Sequence, residues 1–115
     1  MKAVYIAGPF RGPDSYAIHQ NICRAEELAL RVWQTETMCA LCPHLNTAHF
    51  QGAAPDEVWL NGDLELLKRC DAVLLVPGWN KSTGTLAEID FARQHCIPVF
   101  KTFEDLREWD QLTLA

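Results

Sequence analysis

The chain has 115 residues, 49% of them hydrophobic and 22% charged, which suits one compact globular core and is too short for two. A net charge of −5 excludes a general nucleic-acid surface, because polymer binding needs clustered Lys and Arg against many phosphates, yet a small phosphorylated ligand requires only one or two cations. No apolar run approaches the roughly 20 residues of a membrane span, and the stretch from Met1 to Gly8 reads as a buried strand rather than a secretory signal. A single cytoplasmic domain over residues 1–115 with no membrane partner is therefore expected, and the odd set of five cysteines reads as reduced, mostly buried thiols.

Residues 2–7 form the first expected strand, closed by the loop Gly8-Pro9-Phe10-Arg11-Gly12-Pro13-Asp14, whose glycines and prolines break the strand and let a ligand approach the backbone. From Ser15 to about Gln34, Ile18, Ile22, Ala25, Ala29 and Val32 recur at helical spacing, which predicts an amphipathic helix against a sheet. Residues 37–42 read as a second short strand, and Pro43 to Ala54 as a loop long enough to line a site. A second helix is expected from Pro55 to Cys70, and the nearly all-apolar run Ala72 to Val76 suits a central parallel strand covered on both faces. The loop Pro77 to Gly84, a helix from Thr85 to His95, a fourth strand over Ile97 to Lys101 and a short helix over Glu104 to Leu112 complete the pattern. Strands alternating with helices imply right-handed crossovers, a parallel sheet, and a ligand crevice beyond the carboxyl ends of the strands.

The segment Ser82-Thr83-Gly84-Thr85-Leu86-Ala87-Glu88 crosses from that crevice into a helix. Unpaired N–H groups, the hydroxyls and the helix dipole make it a seat for one phosphate, and Glu88, one turn inside among Leu86, Ile89 and Ala92, is placed to be partly desolvated beside it. The plainer reading is a capped helix with a first-turn glutamate. Asp63, among Trp59, Leu64, Leu66 and Leu67, is a second inward carboxylate or else a surface residue. Two carboxylates in different environments can divide glycosidic cleavage, one stabilising a cationic sugar carbon and the other managing a proton. Cys39, Cys42, His44 and His49 together suggest zinc, but strand alternation aims Cys39 and Cys42 at opposite faces, so no metal and no cofactor is expected.

The segments Tyr5 to Gly12, Asp63 to Val73 and Ser82 to Glu88 stand in the order and spacing of nucleoside 2-deoxyribosyltransferases, and over residues 2 to 101 the chain resembles that family, above all its 2′-deoxynucleoside 5′-monophosphate N-hydrolase branch. The resemblance implies a three-layer, flavodoxin- or Rossmann-like α/β fold with a mainly parallel sheet of four to five strands in the order 2-1-3-4. It implies catalytic roles for Glu88, at the anomeric carbon, for Asp63, at the leaving base, and for Tyr5, which orients the glutamate. Arg11 falls near the phosphate and Ser82 at a phosphate-binding position, where the nucleoside transferases carry an aspartate. A second anion there would repel a phosphate, so Ser82 favours a 5′-phosphate. Gly8, Pro9, Phe10, His44, Trp79 and Gly84 complete the expected binding set, with His44 against the base and Trp79 either stacked on the base or covering the core. The resemblance also implies a longer C-terminal region that lends residues to a neighbouring subunit's site, and a counterpart to it is not expected in this sequence. A homodimer is still expected, from the apolar surface that Trp33, Trp59, Trp79 and Trp109 add to a four-stranded sheet. Two classes of function follow: N-glycosidic hydrolysis or deoxyribosyl transfer on a nucleoside 5′-monophosphate, or a non-catalytic nucleotide-binding module using the same phosphate seat.

Overall fold

The computed structural model describes residues 1–114. Four strands, β1 (Lys2–Ala7), β2 (Met38–Leu41), β3 (Ala72–Leu75) and β4 (Val99–Phe100), form an all-parallel sheet in the order β2-β1-β3-β4. The helices are α1 (Ser15–Trp33), α2 (Pro43–Asn46), α3 (Asp56–Lys68), α4 (Thr83–Gln94) and α5 (Phe103–Leu112), and a single 3-10 turn, Trp79–Lys81, precedes α4. This is the expected Rossmann-like arrangement, with helices on both faces of the sheet.

Strand alternation divides the core into two halves. Val4 and Ile6 of β1 face one way, packing with Ala25, Ala29 and Val32 of α1 and Leu106 of α5. Tyr5 and Ala7 face the other, packing with Leu67 of α3 and with Ile89 and Ala92 of α4. The register pairs Tyr5 with Val73 on one side and Leu41 on the other, so its ring is enclosed and fully buried. That parity puts the tyrosine on the side of the sheet that α4 covers.

Helix ends follow local chemistry. Asp14 caps α1 by accepting from the Ala17 N–H at 2.8 Å, and Thr102 caps α5 by accepting from the Asp105 N–H at 3.1 Å. At the end of α4, Cys96 adopts a left-handed φ of 58°, and the N–H groups of Ile97 and Cys96 donate to the carbonyls of Ala92 (2.9 Å) and Arg93 (3.1 Å). This is the Schellman arrangement, which satisfies carbonyls left over at the helix end.

The same cap corrects the expected fourth strand. Ile97 is held by the helix end and Pro98 has no N–H to donate, so regular pairing is confined to Val99 and Phe100 rather than running from 97 to 101. The expected loop from Pro43 to Ala54 in turn contains α2, which Pro43 opens at a first-turn position where a missing N–H costs nothing.

Candidate active site

Because every crossover returns to the same edge, the N-termini of α1, α3 and α4 lie with the carboxyl ends of the strands. A cavity of about 1040 Å³ opens there. Gly8, Pro9, Phe10, Arg11, His44, Asp63, Ser82, Gly84 and Glu88 all line it, so the structure brings together most of the residues expected from the sequence. Tyr5 reaches the same place from beneath, its hydroxyl donating a hydrogen bond to Glu88 Oε2.

Three ionisable groups meet on this floor. Burial, followed by the Glu88 charge, raises the Tyr5 phenol far above its ordinary value, so it stays a donor. Burial also pushes Glu88 up to about 7; the Tyr5 hydrogen bond pulls in the opposite direction, and the Asp63 charge adds to the rise. Asp63 is pushed up to about 6 by burial. No cation pairs with either carboxylate among the described residues. Glu88 Oε1 is left without a hydrogen-bond partner among the described residues and is the oxygen available to a ligand.

The start of α4 is more ordered than a loop would be. Ser82 Oγ accepts from the Thr85 N–H at 3.2 Å and from the Thr85 hydroxyl at 2.9 Å, and Thr85 is itself buried. Ser82 is thus the helix cap, as the plainer reading held. Having accepted twice, its hydroxyl still has its own hydrogen to donate toward the cavity.

The β1–α1 loop is held from several sides. A Cβ on Gly8 would stand 2.4 Å from Val76 Cβ, so glycine is what allows the loop to leave β1 against the end of β3. His44 is 5% exposed, its Nε2 lies 2.9 Å from the Pro9 carbonyl, and burial lowers its pKa, so the neutral ring donates to that carbonyl. Asn21 Nδ2 donates to the carbonyls of Phe10 (3.1 Å) and Arg11 (3.3 Å). The Arg11 guanidinium is 2.7 Å from Asp56 at the start of α3, so its charge is already matched by a carboxylate.

Trp79 is the expected site residue that the structure sets apart. It is not among the lining side chains; it packs on the α3–α4 half of the core, with Lys101 Nζ 5.7 Å from its ring centroid. The 3-10 turn directs it there, an effect of backbone geometry invisible in the residue types. Trp59, Asn21, Arg24 and Lys81 line the cavity without having been singled out. Spacing carried a signal for three of them: Trp59 is one helical turn before Asp63, and Asn21 and Arg24 are three residues apart on one face of α1.

Cys39 and Cys42 diverge. Cys42 is buried with Val4 and Ile6, while Cys39 lies with its sulfur 3.7 Å from the Lys2 carbonyl oxygen. Among the described residues, no three His, Cys, Asp or Glu side chains converge as a metal site. No described helix is long and apolar enough to cross a membrane.

A family model described as a domain of unknown function (DUF7768) matches residues 2–102. The chain belongs to this family. No curated protein sequence matches it. Among solved structures, this DUF7768 member is similar to a conserved protein from Enterococcus faecalis V583, with a TM-score of 0.69 and 20% identity over 97% of this chain and 74% of that one. It is also similar to a 2-deoxyribosyltransferase from the psychrotolerant bacterium Bacillus psychrosaccharolyticus, with a TM-score of 0.61 and 21% identity over 84% of this chain and 69% of the enzyme. The DUF7768 member therefore shares its fold with a deoxyribosyltransferase.

Proposed function

We propose that this chain cleaves the N-glycosidic bond of a nucleoside 5′-monophosphate, releasing the base to water or exchanging it for another base. The observation that carries the reading is the Tyr5–Glu88 hydrogen bond at the floor of a cavity that Asp63 and the N-terminus of α4 also line. A site built only to bind a nucleotide has no use for two cation-free carboxylates in partial burial, because such burial disfavours their charge. The fold shared with a 2-deoxyribosyltransferase supports the same chemistry.

In this mechanism the phosphate sits at the α4 N-terminus, taking hydrogen bonds from backbone N–H groups and the Ser82 hydroxyl. Glu88 Oε1 faces C1′ while Tyr5 holds the other oxygen. As the C1′–N bond breaks, its electron pair passes to the base nitrogen, which takes the Asp63 proton; Glu88 bonds to C1′ or stabilises its positive charge. Water, or the ring N–H of a second base, then adds at C1′, displaces Glu88 as a carboxylate and returns its proton to Asp63. The working state carries one proton on the carboxylate pair, placed on Asp63; because Glu88 (about 7) holds a proton more tightly than Asp63 (about 6), this is the minor, reverse-protonated form of the singly protonated pair, which as a whole peaks between about pH 6 and 7.

Incubation with a panel of ribo- and deoxyribonucleoside monophosphates, followed by chromatography for released base, tests the reading. Release from at least one member is expected. Tight nucleotide binding with no release from any of them would replace catalysis with the binding-module function.

A further inference from the structure

The cavity is larger than the proposed mechanism uses. Its volume of about 1040 Å³ lies at the upper end of the roughly 300–1,000 Å³ typical of small-ligand sites. It runs from Lys81, Ser82 and Thr83 at the start of α4, across Gly8 to Arg11, to Asn21 and Arg24 on α1 and to Thr47 and Ala48 just after α2. Since α1 packs on the opposite face of the sheet from α4, the lining draws on elements from both faces, and its α1 and post-α2 part (Asn21, Arg24, Thr47, Ala48) is treated as a second lobe. The phosphate seat at α4, formed by Ser82 and Thr83, shares no residue with that part of the lining.

Charge is distributed to match. Three cations line the cavity: Arg11, Arg24 and Lys81. Arg11 is matched by Asp56, but among the described residues neither Arg24 nor Lys81 has a carboxylate within salt-bridge distance. Arg24 is instead steadied by a neutral group, its Nη1 donating to Asn21 Oδ1 at 3.0 Å, while the same amide pins the Phe10 and Arg11 carbonyls. The exposed Arg24 guanidinium, with no carboxylate partner among the described residues, is thereby placed near the loop from Gly8 to Arg11.

We propose that the substrate class is a nucleotide with a second phosphoryl group on the first, a nucleoside 5′-diphosphate or its ester. The first phosphate lies at the α4 N-terminus beside Lys81, and the second crosses the Gly8 to Arg11 loop to Arg24. This rests on the nucleotide-cleavage reading and names its substrate.

The test measures kcat/KM for base release from matched nucleoside 5′-monophosphates, 5′-diphosphates and pyrophosphate-bridged dinucleotides, with dissociation constants for the same ligands. The diphosphate is expected to exceed the monophosphate by about tenfold or more, as one charge-assisted arginine–phosphate contact implies. Arg24→Ala should cost the diphosphate about ten times what it costs the monophosphate, whereas Lys81→Ala should weaken both alike. A dinucleotide turned over better than the diphosphate would assign the rest of the second lobe to the esterified group; the reverse order would assign the site to the plain diphosphate. A monophosphate equal to or better than both, or an Arg24→Ala variant that weakens all ligands equally, overturns the second-phosphate site while leaving glycosidic cleavage intact. If nothing is turned over, tighter binding of the diphosphate that Arg24→Ala removes still upholds the site, and failure of every ligand to bind overturns both readings.

Discussion

The two ends of the sheet each hold a carboxylate withdrawn from water, and they treat it in opposite ways. At the amino edge, Asp110 is 2% exposed; Lys2 Nζ lies 2.8 Å from one oxygen and the Thr37 hydroxyl donates to the other at 2.6 Å. Burial alone would raise its pKa, but those hydrogen bonds and the Lys2 charge outweigh burial and hold it below the ordinary value. At the carboxyl edge, Glu88 meets only the Tyr5 phenol, neither Glu88 nor Asp63 has a cation partner among the described residues, and both are pushed up. A compensated buried charge belongs to the framework, whereas an uncompensated one is held ready to change its protonation or meet an external cation such as a sugar carbon. The smaller cavity beside Asp110, about 410 Å³ and lined also by Arg31, Thr37 and Arg107, has its acidic group already occupied.

The largest expected effect comes from removing the carboxylate that the framework does not need. Glu88→Gln should reduce base release by about 1,000-fold or more with its circular dichroism spectrum and cooperative melt unchanged; a variant with full turnover would erase the functional half of the comparison. The converse substitution, Asp110→Asn, should leave turnover near wild type but lower stability by about 3 kcal/mol in urea unfolding at pH 7, because Lys2 loses its buried partner. That deficit should close on acidification, since the folded pKa lies below the ordinary 3.8 and the stabilisation is lost as pH falls through the folded value.

Asp63→Asn sharpens the comparison within the site. Loss of the proposed proton donor should reduce kcat/KM about a hundredfold. It should also change the pH profile. The wild-type bell, with limbs near 6 and 7, should become a single rise whose midpoint lies below 7, because the Asp63 charge no longer raises Glu88. An unaltered bell would remove Asp63 from proton transfer.

The smallest effect concerns stability. A folded pKa of about 7 against an ordinary 4.5 means that the native state binds the Glu88 proton more tightly than the unfolded chain does, so stability is greatest below 4.5 and falls as pH rises through 7. Glu88→Gln should therefore be more stable than wild type at pH 8, by on the order of 1 kcal/mol, and equal to it near pH 4. Thermal melts at the two pH values give the sign.

Where most of the candidate site's residues lie in the fold was legible because their signals are local. Ser82 to Glu88 carries a cap and a second-turn glutamate within seven consecutive residues, and a cap followed by a helix places both at the carboxyl edge of a parallel sheet. Gly8 and Pro9 marked a loop for the same reason. Trp79 was not legible, because an aromatic residue in a loop looks alike whether it faces a ligand or the core, and only the 3-10 turn before α4 aims it at the core. The shortened β4 likewise depends on a left-handed Cys96, a conformation its sequence does not advertise.

Apolar periodicity, turn residues and caps, each acting over a few positions, were enough by themselves to establish the alternating elements, the parallel sheet and the edge at which a ligand would sit. Only the tertiary structure decided that Tyr5 meets Glu88, that Arg11 is matched by Asp56 while Arg24 is not, and that Asp110 is compensated by Lys2. Those pairings join residues between 45 and 108 positions apart, and the energy of a charge depends on which groups and how much water surround it in space, a property that no local pattern contains.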